Sequence, residues 1–100
     1  PPGPSPCARA ADGMVLALLA RLPSGAAADV PTEEADALRN LIRARCERDA
    51  WSAEATRCLA AMKQVADAEP CAALLTPAQQ AHLVEDQEAR RAGHAPGPPR

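Results

Sequence analysis

The chain has 100 residues and a formal net charge of −2, with acidic and basic residues mixed along its length. A chain of this size forms at most one domain. Nucleic-acid binding is not expected, because there is no basic stripe and Trp51 is the only aromatic residue on which a base could stack.

Alanine dominates the composition. Hydrophobic residues make up 47% of the chain, but 25 of them are alanine and only 18 are Leu, Val, Met, Ile or Trp. Alanine is the best helix former and strand-forming residues are scarce, which predicts an all-α fold, a small antiparallel bundle of about four helices. Because only a few large side chains are available, the core is thin, and we expect disulfides to stabilise it. The longest apolar run, 14–20, is too short to span a bilayer.

Prolines cluster at both ends of the chain. Residues 1–7 predict an extended linker, residues 8–92 the helical domain, and residues 93–100 a disordered tail. The Pro-Ser-Pro before Cys7 is not the small apolar sequence that precedes a lipid-anchored cysteine. Because the chain begins with Pro1 rather than Met, we expect that any export signal has been removed.

Helix 1 is predicted to begin at Ala8 or Asp12, with Asp12 as a possible cap, and to end at Leu22. A loop over 23–31 follows, with a short turn over 26–28. The apolar positions of helix 1 repeat at helical spacing: Met14, Val15, Leu18, Leu19 and Leu22.

Helix 2 is predicted to start at Thr32, which is a plausible N-cap after Pro31. Its first turns are acidic and its second half is rich in arginine, an order that complements the helix dipole. One face is expected to be buried: Ala35, Leu38, Leu41, Ile42 and Cys46.

The arginines of helix 2 allow two interpretations. They predict ion pairs at i,i+4 spacing between Arg43 and Glu47 and between Arg45 and Asp49. The alternative is an anion-binding patch at the end of the helix, formed by Arg39, Arg43 and Arg48.

Helix 3 follows a short connection, residues 49–52, which makes helices 2 and 3 antiparallel neighbours. Ser52 is predicted to cap helix 3, and Trp51 to pack back on it as a hydrophobic staple. A second turn is predicted over 67–70. The apolar stripe of helix 3 is expected to continue to Ala66: Ala55, Cys58, Leu59, Met62, Val65 and Ala66.

The clearest local signal lies at Thr76, Pro77 and Gln79. A Thr N-cap, a Pro at the first helical position and a Gln at the third form a capping box. Helix 4 is therefore predicted from Pro77 to about Ala92, after one or two helical turns over 71–75.

The four cysteines allow three disulfide pairings. If helices 1 and 2 are antiparallel, Cys7 and Cys46 meet, and the chain after helix 3 can return Cys71 to Cys58. This pairing is favoured, and Cys46–Cys58 with Cys7–Cys71 is the alternative. A zinc site is a weaker interpretation because no C-x2-C or H-x3-H unit is present, and reduced structural cysteines are the other alternative.

Two sets of side chains are candidates for chemistry or binding. His82 and Asp86, at i,i+4 spacing on helix 4, would suit an acid–base dyad, with a surface pair as the plainer interpretation. No serine or cysteine has a convincing base beside it, so no catalytic residue, cofactor or metal is assigned. Trp51, Leu59 and Met62 would line a small apolar pocket or, as the plainer interpretation, belong to the core.

A spacing of cysteine and tryptophan extends over residues 45–83. It reads Cys46-x2-Asp49-x-Trp51-Ser52-x-Glu54-x3-Cys58 and continues as Cys71-x2-Leu74-x-Thr76-Pro77-x-Gln79. This pattern resembles a motif in small secreted or lipid-anchored helical proteins of GC-rich bacteria that have no assigned activity. The resemblance implies an exported helical domain behind a proline-rich linker, and it carries over no catalytic residues.

These observations favour a non-enzymatic, exported helical module that is secreted, periplasmic or on the outer surface. Its partner would be another protein or its own upstream domain, and Trp51, Leu59, Met62, Arg39 and Arg43 are the candidate contact residues. The alternative is a small carrier that holds a hydrophobic ligand or lipid between helices 1 and 3. An enzyme that uses His82 is the third hypothesis.

Overall fold

The computed structural model describes residues 4–22 and 29–94, with side chains up to residue 92. Within those ranges the chain forms five α-helices, a 3-10 turn before the fourth of them and no strand, which confirms the all-α prediction. The helices are α1 (Pro6–Ala20), α2 (Thr32–Asp49), α3 (Ala53–Ala60), α4 (Ala68–Ala72) and α5 (Pro77–His94), and the 3-10 turn, Val65–Asp67, precedes α4.

The two disulfides are those favoured by the sequence. Cys7 is bonded to Cys46 with a Cα–Cα distance of 5.6 Å, and Cys58 to Cys71 with 5.4 Å. The first ties the start of α1 to the end of α2, and the second ties α3 to α4. The described chain holds no free cysteine, so neither the alternative pairing nor a zinc site applies to these residues.

Helix α1 begins earlier than predicted and ends at Ala20. Ser5 is its N-cap: the Ser5 hydroxyl oxygen accepts a hydrogen bond of 3.1 Å from the backbone N–H of Ala8. Pro6 occupies the first turn, where its missing N–H costs nothing. The prediction that Asp12 caps this helix is wrong, because a proline-rich sequence can supply the first turn of a helix as well as a linker.

Helices α1 and α3 meet through small side chains. A Cβ atom built on Gly13 would overlap the carbonyl oxygen of Leu59 and the backbone of Ala60. Ala10 and Ala17, on either side of Gly13 along α1, are fully buried. Glycine and alanine therefore allow the two backbones to approach closely. The sequence pattern did not predict this contact.

The leucine face of α1 is only partly buried. Val15 lies in the core, but Leu18, and Leu22 just past the end of the helix, are 37% and 38% exposed. Since alanine fills the contact with α3, these leucines lie beside the core rather than in it.

Helix α2 buries the face that its sequence predicts, with Ile42 and Cys46 fully buried and the other members packed against the core. Thr32 is its first helical residue rather than its N-cap, and no side chain caps this end. Ala50 closes the other end in the left-handed conformation, with φ of 51°. The Trp51 N–H then donates to the Cys46 carbonyl at 3.1 Å, which turns Trp51 into the core.

Helix α3 begins as predicted, with the Ser52 hydroxyl accepting from the Ala55 N–H at 3.1 Å. It ends at Ala60 rather than continuing to Ala66. The Asp67 carboxylate accepts hydrogen bonds from the Lys63 and Gln64 N–H groups at 2.9 and 3.2 Å and starts a new turn. These N–H groups lower the pKa of Asp67.

The turn predicted over 67–70 is helical, because α4 occupies it. Pro70 lies in the first turn of α4, where the backbone needs no N–H donor. Helix α5 then starts with the predicted capping box: the Gln79 N–H donates to the Thr76 hydroxyl oxygen at 3.1 Å, and the Thr76 N–H donates to Gln79 Oε1 at 3.0 Å.

Candidate functional site

Four titratable side chains join α5 to α2 and are called here the ionic cluster: Arg45, Asp49, His82 and Asp86. The Arg45 guanidinium makes two hydrogen bonds to the Asp86 carboxylate, Nε to Oδ2 at 2.7 Å and Nη2 to Oδ1 at 3.0 Å. Such a bidentate pair fixes both distance and orientation. The residues are 41 positions apart in sequence, so the pair determines where α5 lies on α2.

Asp49 completes the ionic cluster. Its Oδ2 lies 3.0 Å from His82 Nδ1, and its Oδ1 lies 3.4 Å from Arg45 Nη1. The Asp49 side chain is only 12% exposed. Its backbone carbonyl also accepts a hydrogen bond of 2.9 Å from the Gln79 side chain. Asp49 is therefore held by α5 through both its side chain and its backbone.

These contacts stabilise the charged carboxylates. The hydrogen bond from His82 lowers the pKa of Asp49, and the hydrogen bond from Arg45 lowers the pKa of Asp86. The Asp86 hydrogen bond in turn raises the pKa of Arg45. The two carboxylates thus bind fewer protons in the folded chain than in the unfolded chain.

The ionic cluster corrects the interpretation of His82 and Asp86. They share a face of α5, as the spacing indicated, but each pairs with a different residue of α2 instead of with the other. They are neither an acid–base dyad nor a plain surface pair. The partners come from another helix, and nothing in the local spacing specifies them.

The arginine predictions have different outcomes. Arg45 pairs with Asp49 as predicted, whereas Arg43 donates to Asn40 Oδ1 at 3.4 Å. The expected contact of Arg43 with Glu47 does not form. Arg39 binds two carboxylates, with its Nε 3.2 Å from Asp12 Oδ1 and its Nη1 2.8 Å from Asp36 Oδ1. The carboxylates of Asp12 and Asp36 would repel an anion at the predicted patch.

The aromatic and sulfur candidates lie in the core. Trp51, Leu59 and Met62 are 7%, 2% and 8% exposed, so they do not offer the partner or pocket surface that the sequence allowed. Trp51 belongs to the core, which agrees with the plainer interpretation. Its indole Nε1 is buried and has no hydrogen-bond partner among the described residues.

An apolar groove of about 290 Å³ lies along α1 and α2 and is called here the α1–α2 groove. The leucines that α1 does not bury against α3 form one of its sides. The start of α2 forms the other. Its apolar lining includes Val15, Leu18, Leu19, Leu22, Val30 and Leu38.

Two charged side chains complete the α1–α2 groove. Glu34 comes from the first turn of α2 and is exposed to solvent. Arg90 comes from α5, one turn beyond Asp86, and is half-buried. The Arg90 Nε atom is buried without a hydrogen-bond partner among the described residues. The α1–α2 groove therefore combines an apolar surface with one under-satisfied cation.

A second groove, of about 280 Å³, lies between α1 and α3, where the sequence placed the ligand cavity of a carrier. Pro6, Arg9, Thr56 and Arg57 are among the residues that line it, and none of its lining residues is a large aliphatic residue. It therefore lacks the apolar walls that a lipid carrier needs.

Comparisons with known proteins leave the site to be interpreted from its geometry alone. No family model, curated protein or solved structure matches the chain. Among the described helices, none is both long and apolar enough to cross a bilayer. In the same ranges, no group of three or more His, Cys, Asp or Glu side chains is arranged to hold a metal ion.

Proposed function

We propose that this chain is an exported, non-enzymatic helical module that binds a protein partner through the α1–α2 groove. The observation that carries the proposal is the pair of leucines, Leu18 and Leu22, that stay more than one-third exposed beside the buried core. Large apolar side chains grouped in one groove mark interaction sites on soluble domains more often than leucines scattered singly.

Export is supported by the disulfides. Two disulfides that consume every described cysteine are typical of proteins that fold in an oxidising compartment. We further propose that the chain is secreted, periplasmic or held on the outer surface.

A non-enzymatic role is supported by how the titratable side chains are used. The histidine and carboxylates of the ionic cluster all face charged groups across the α2–α5 contact. Each of these contacts joins two helices, and none of the four side chains lines the α1–α2 groove.

A small carrier of a hydrophobic ligand is the second candidate, and the size of the α1–α2 groove favours it. Its volume, about 290 Å³, is near the lower end for small-molecule sites. Such sites bury most of the ligand surface, whereas Leu18 and Leu22 remain open to solvent. A broad, open contact suits a segment of another protein better.

The test is photo-crosslinking in cells that export the chain. A photoreactive amino acid replaces Leu18 in one variant and Leu16 in its control. Leu16 is a matched position because it lies on α1, is 59% exposed and is outside the α1–α2 groove. The proposal predicts a discrete protein adduct from position 18 and none from position 16.

Two outcomes would contradict the proposal. A lipid-sized adduct from position 18 would favour the carrier. The same adduct pattern from both positions, or no protein adduct from position 18, would remove the α1–α2 groove as a partner-binding surface.

A further inference from the structure

We infer that the segment bound in the α1–α2 groove is an amphipathic helix of the partner with one acidic side chain, whose carboxylate pairs with Arg90. This inference rests on the proposed function and names the chemistry of the partner. It combines the apolar lining of the groove with the single half-buried cation that completes it.

The Arg90 guanidinium supplies the charge that a partner would recognise. A guanidinium carries five N–H donors in a planar fork, and a carboxylate can accept two of them at once. The Arg90 Nε–H is buried and finds no acceptor among the described residues. A buried donor without an acceptor is costly, and the cost is greater for a charged group. The Nε atom itself is shielded from solvent, but Arg90 as a whole is only half-buried, lines the groove and makes no ion pair among the described residues. A carboxylate from the partner would therefore pair with the Nη groups of this guanidinium.

The position of Arg90 is fixed by the ionic cluster. Asp86 is clamped to Arg45 by two hydrogen bonds, and Arg90 follows one helical turn later on α5. The next residue, Arg91, is exposed and is not part of the groove. The same helix thus presents one arginine to the groove and one to solvent, which provides a matched control.

The chain does not satisfy Arg90 from its neighbouring acidic residues. Glu34 lines the same groove but forms no ion pair with Arg90 in the described structure. Because Glu34 is exposed, water satisfies its carboxylate and it needs no partner. Asp29, which precedes the groove residue Val30, is exposed and likewise forms no ion pair with Arg90. No carboxylate among the described residues therefore pairs with Arg90.

A helix suits the shape of the apolar side. Leu18 and Leu19 lie in the last turn of α1 and Leu22 lies just after its end, and together they form a short apolar ridge beside the buried Val15. Ridges of this kind accept the side-chain rows of another helix, and helix-in-groove binding uses apolar anchors at i, i+3, i+4 and i+7.

The test uses the purified, oxidised chain and a display library of short helical peptides. Peptides are selected on the unchanged chain, and those that still bind the Leu18→Asp or Leu22→Asp variants are discarded. Both leucines are partly exposed, so the two variants report independently on the same surface. Circular dichroism and intact mass confirm that each variant is folded and carries both disulfides.

Selected peptides are expected to combine helical apolar spacing with one fixed acidic position. Changing that Glu to Gln should weaken binding about tenfold or more, because hydrogen bonds between charged partners are stronger than neutral ones. The same change should have little effect on binding to Arg90→Gln. It should keep its full effect on binding to the control Arg91→Gln.

The outcomes separate this inference from the proposed function. Peptides that depend on Leu18 but lack an acidic preference, or keep that preference on Arg90→Gln, would overturn the role of Arg90 and leave the groove as a binding surface. Failure to select any peptide sensitive to Leu18→Asp would overturn both. If dodecanoate bound the groove through Arg90 while no peptide did, the occupant would be a small anionic amphiphile and the inference would be wrong.

Discussion

The first and the last helix are held to the fold by different interactions. At the amino-terminal end, α1 lies against α3 through glycine and alanine and is bonded to α2 by the Cys7–Cys46 disulfide. At the carboxyl-terminal end, α5 packs mainly on α2 and carries no cysteine. The ionic cluster and the Gln79 side chain hold it there. The first contact is covalent and insensitive to pH, whereas the second depends on charge.

This difference bears on the α1–α2 groove. Its apolar surface belongs to the stapled part of the chain, and its cation, Arg90, belongs to the ionically held helix. Loss of α5 from α2 would remove the cation and leave the leucines in place. The affinity of the groove for an apolar segment should therefore depend on the disulfides. Its preference for an acidic segment should depend on the ionic cluster.

The largest effect is expected from removing the Cys7–Cys46 disulfide, which closes a sequence separation of 39 residues. The Cys7→Ser/Cys46→Ser variant should lose about 4 kcal/mol in the free energy of unfolding, because the unfolded chain gains the entropy of an open loop. Urea denaturation measures the change. The Cys58–Cys71 separation is 13 residues, so its double Ser variant should lose less, about 3 kcal/mol. An unchanged thermal midpoint in reducing agent would contradict the stapled core.

The next effect is expected at Gly13. Gly13→Ala should destabilise the chain by about 1–3 kcal/mol, because the added methyl group meets the backbone of Leu59 and Ala60 rather than a side chain that can move. Denaturation of this variant against the unchanged chain measures it. A stabilised variant, as alanine would give in an open helix, would show that the two helices lie farther apart.

The ionic contact between α5 and α2 is expected to weaken in acid. Because Asp49 and Asp86 have lowered pKa values in the folded chain, their contribution is complete above the pKa of unfolded aspartate, about 3.9. It is lost as the pH falls below that value and through the lower folded-state pKa. Amide exchange should show α5 losing protection in this range before α1 and α3. In the Asp49→Asn/Asp86→Asn variant this difference between the helices should not depend on pH.

The smallest effect is expected at Ala50, which closes α2 with a positive φ of 51°. Ala50→Gly should raise the free energy of unfolding by about 1 kcal/mol, because glycine adopts this conformation without the steric cost of a Cβ atom. Urea denaturation compares the two chains. A loss of stability would mean that the Ala50 methyl group makes a contact worth more than the relieved strain.

Sequence reasoning succeeded where the determining contacts are local. The capping box at Thr76, the cap at Ser52 and the buried face of α2 all follow from residues within a few positions of one another. The disulfide pairing was also predictable, because antiparallel helices and short connections left few ways to bring the cysteines together. These signals were sufficient for the fold class.

The features that the sequence did not predict have physical explanations. Pro6 starts a helix because Ser5 caps it, although proline-rich sequence also suits a linker. The end of α3 depends on the Asp67 carboxylate, which caps the backbone several residues earlier. The groove exists because glycine and alanine, rather than leucine, fill the contact of α1 with α3. Leu18 and Leu22 are therefore left beside the core. The Arg45–Asp86 pair spans 41 positions, and no local spacing specifies it.

A disulfide-stapled core and a separately held helix that supplies Arg90 to the groove should differ in local stability. Residue-resolved amide hydrogen exchange on the oxidised chain at neutral pH measures this difference. We expect slow exchange in α1, α2 and α3 and faster exchange in α5, with α5 losing further protection in the Arg45→Met variant while the other helices keep theirs. Equal protection of α5 and α1, unchanged by Arg45→Met, would contradict it.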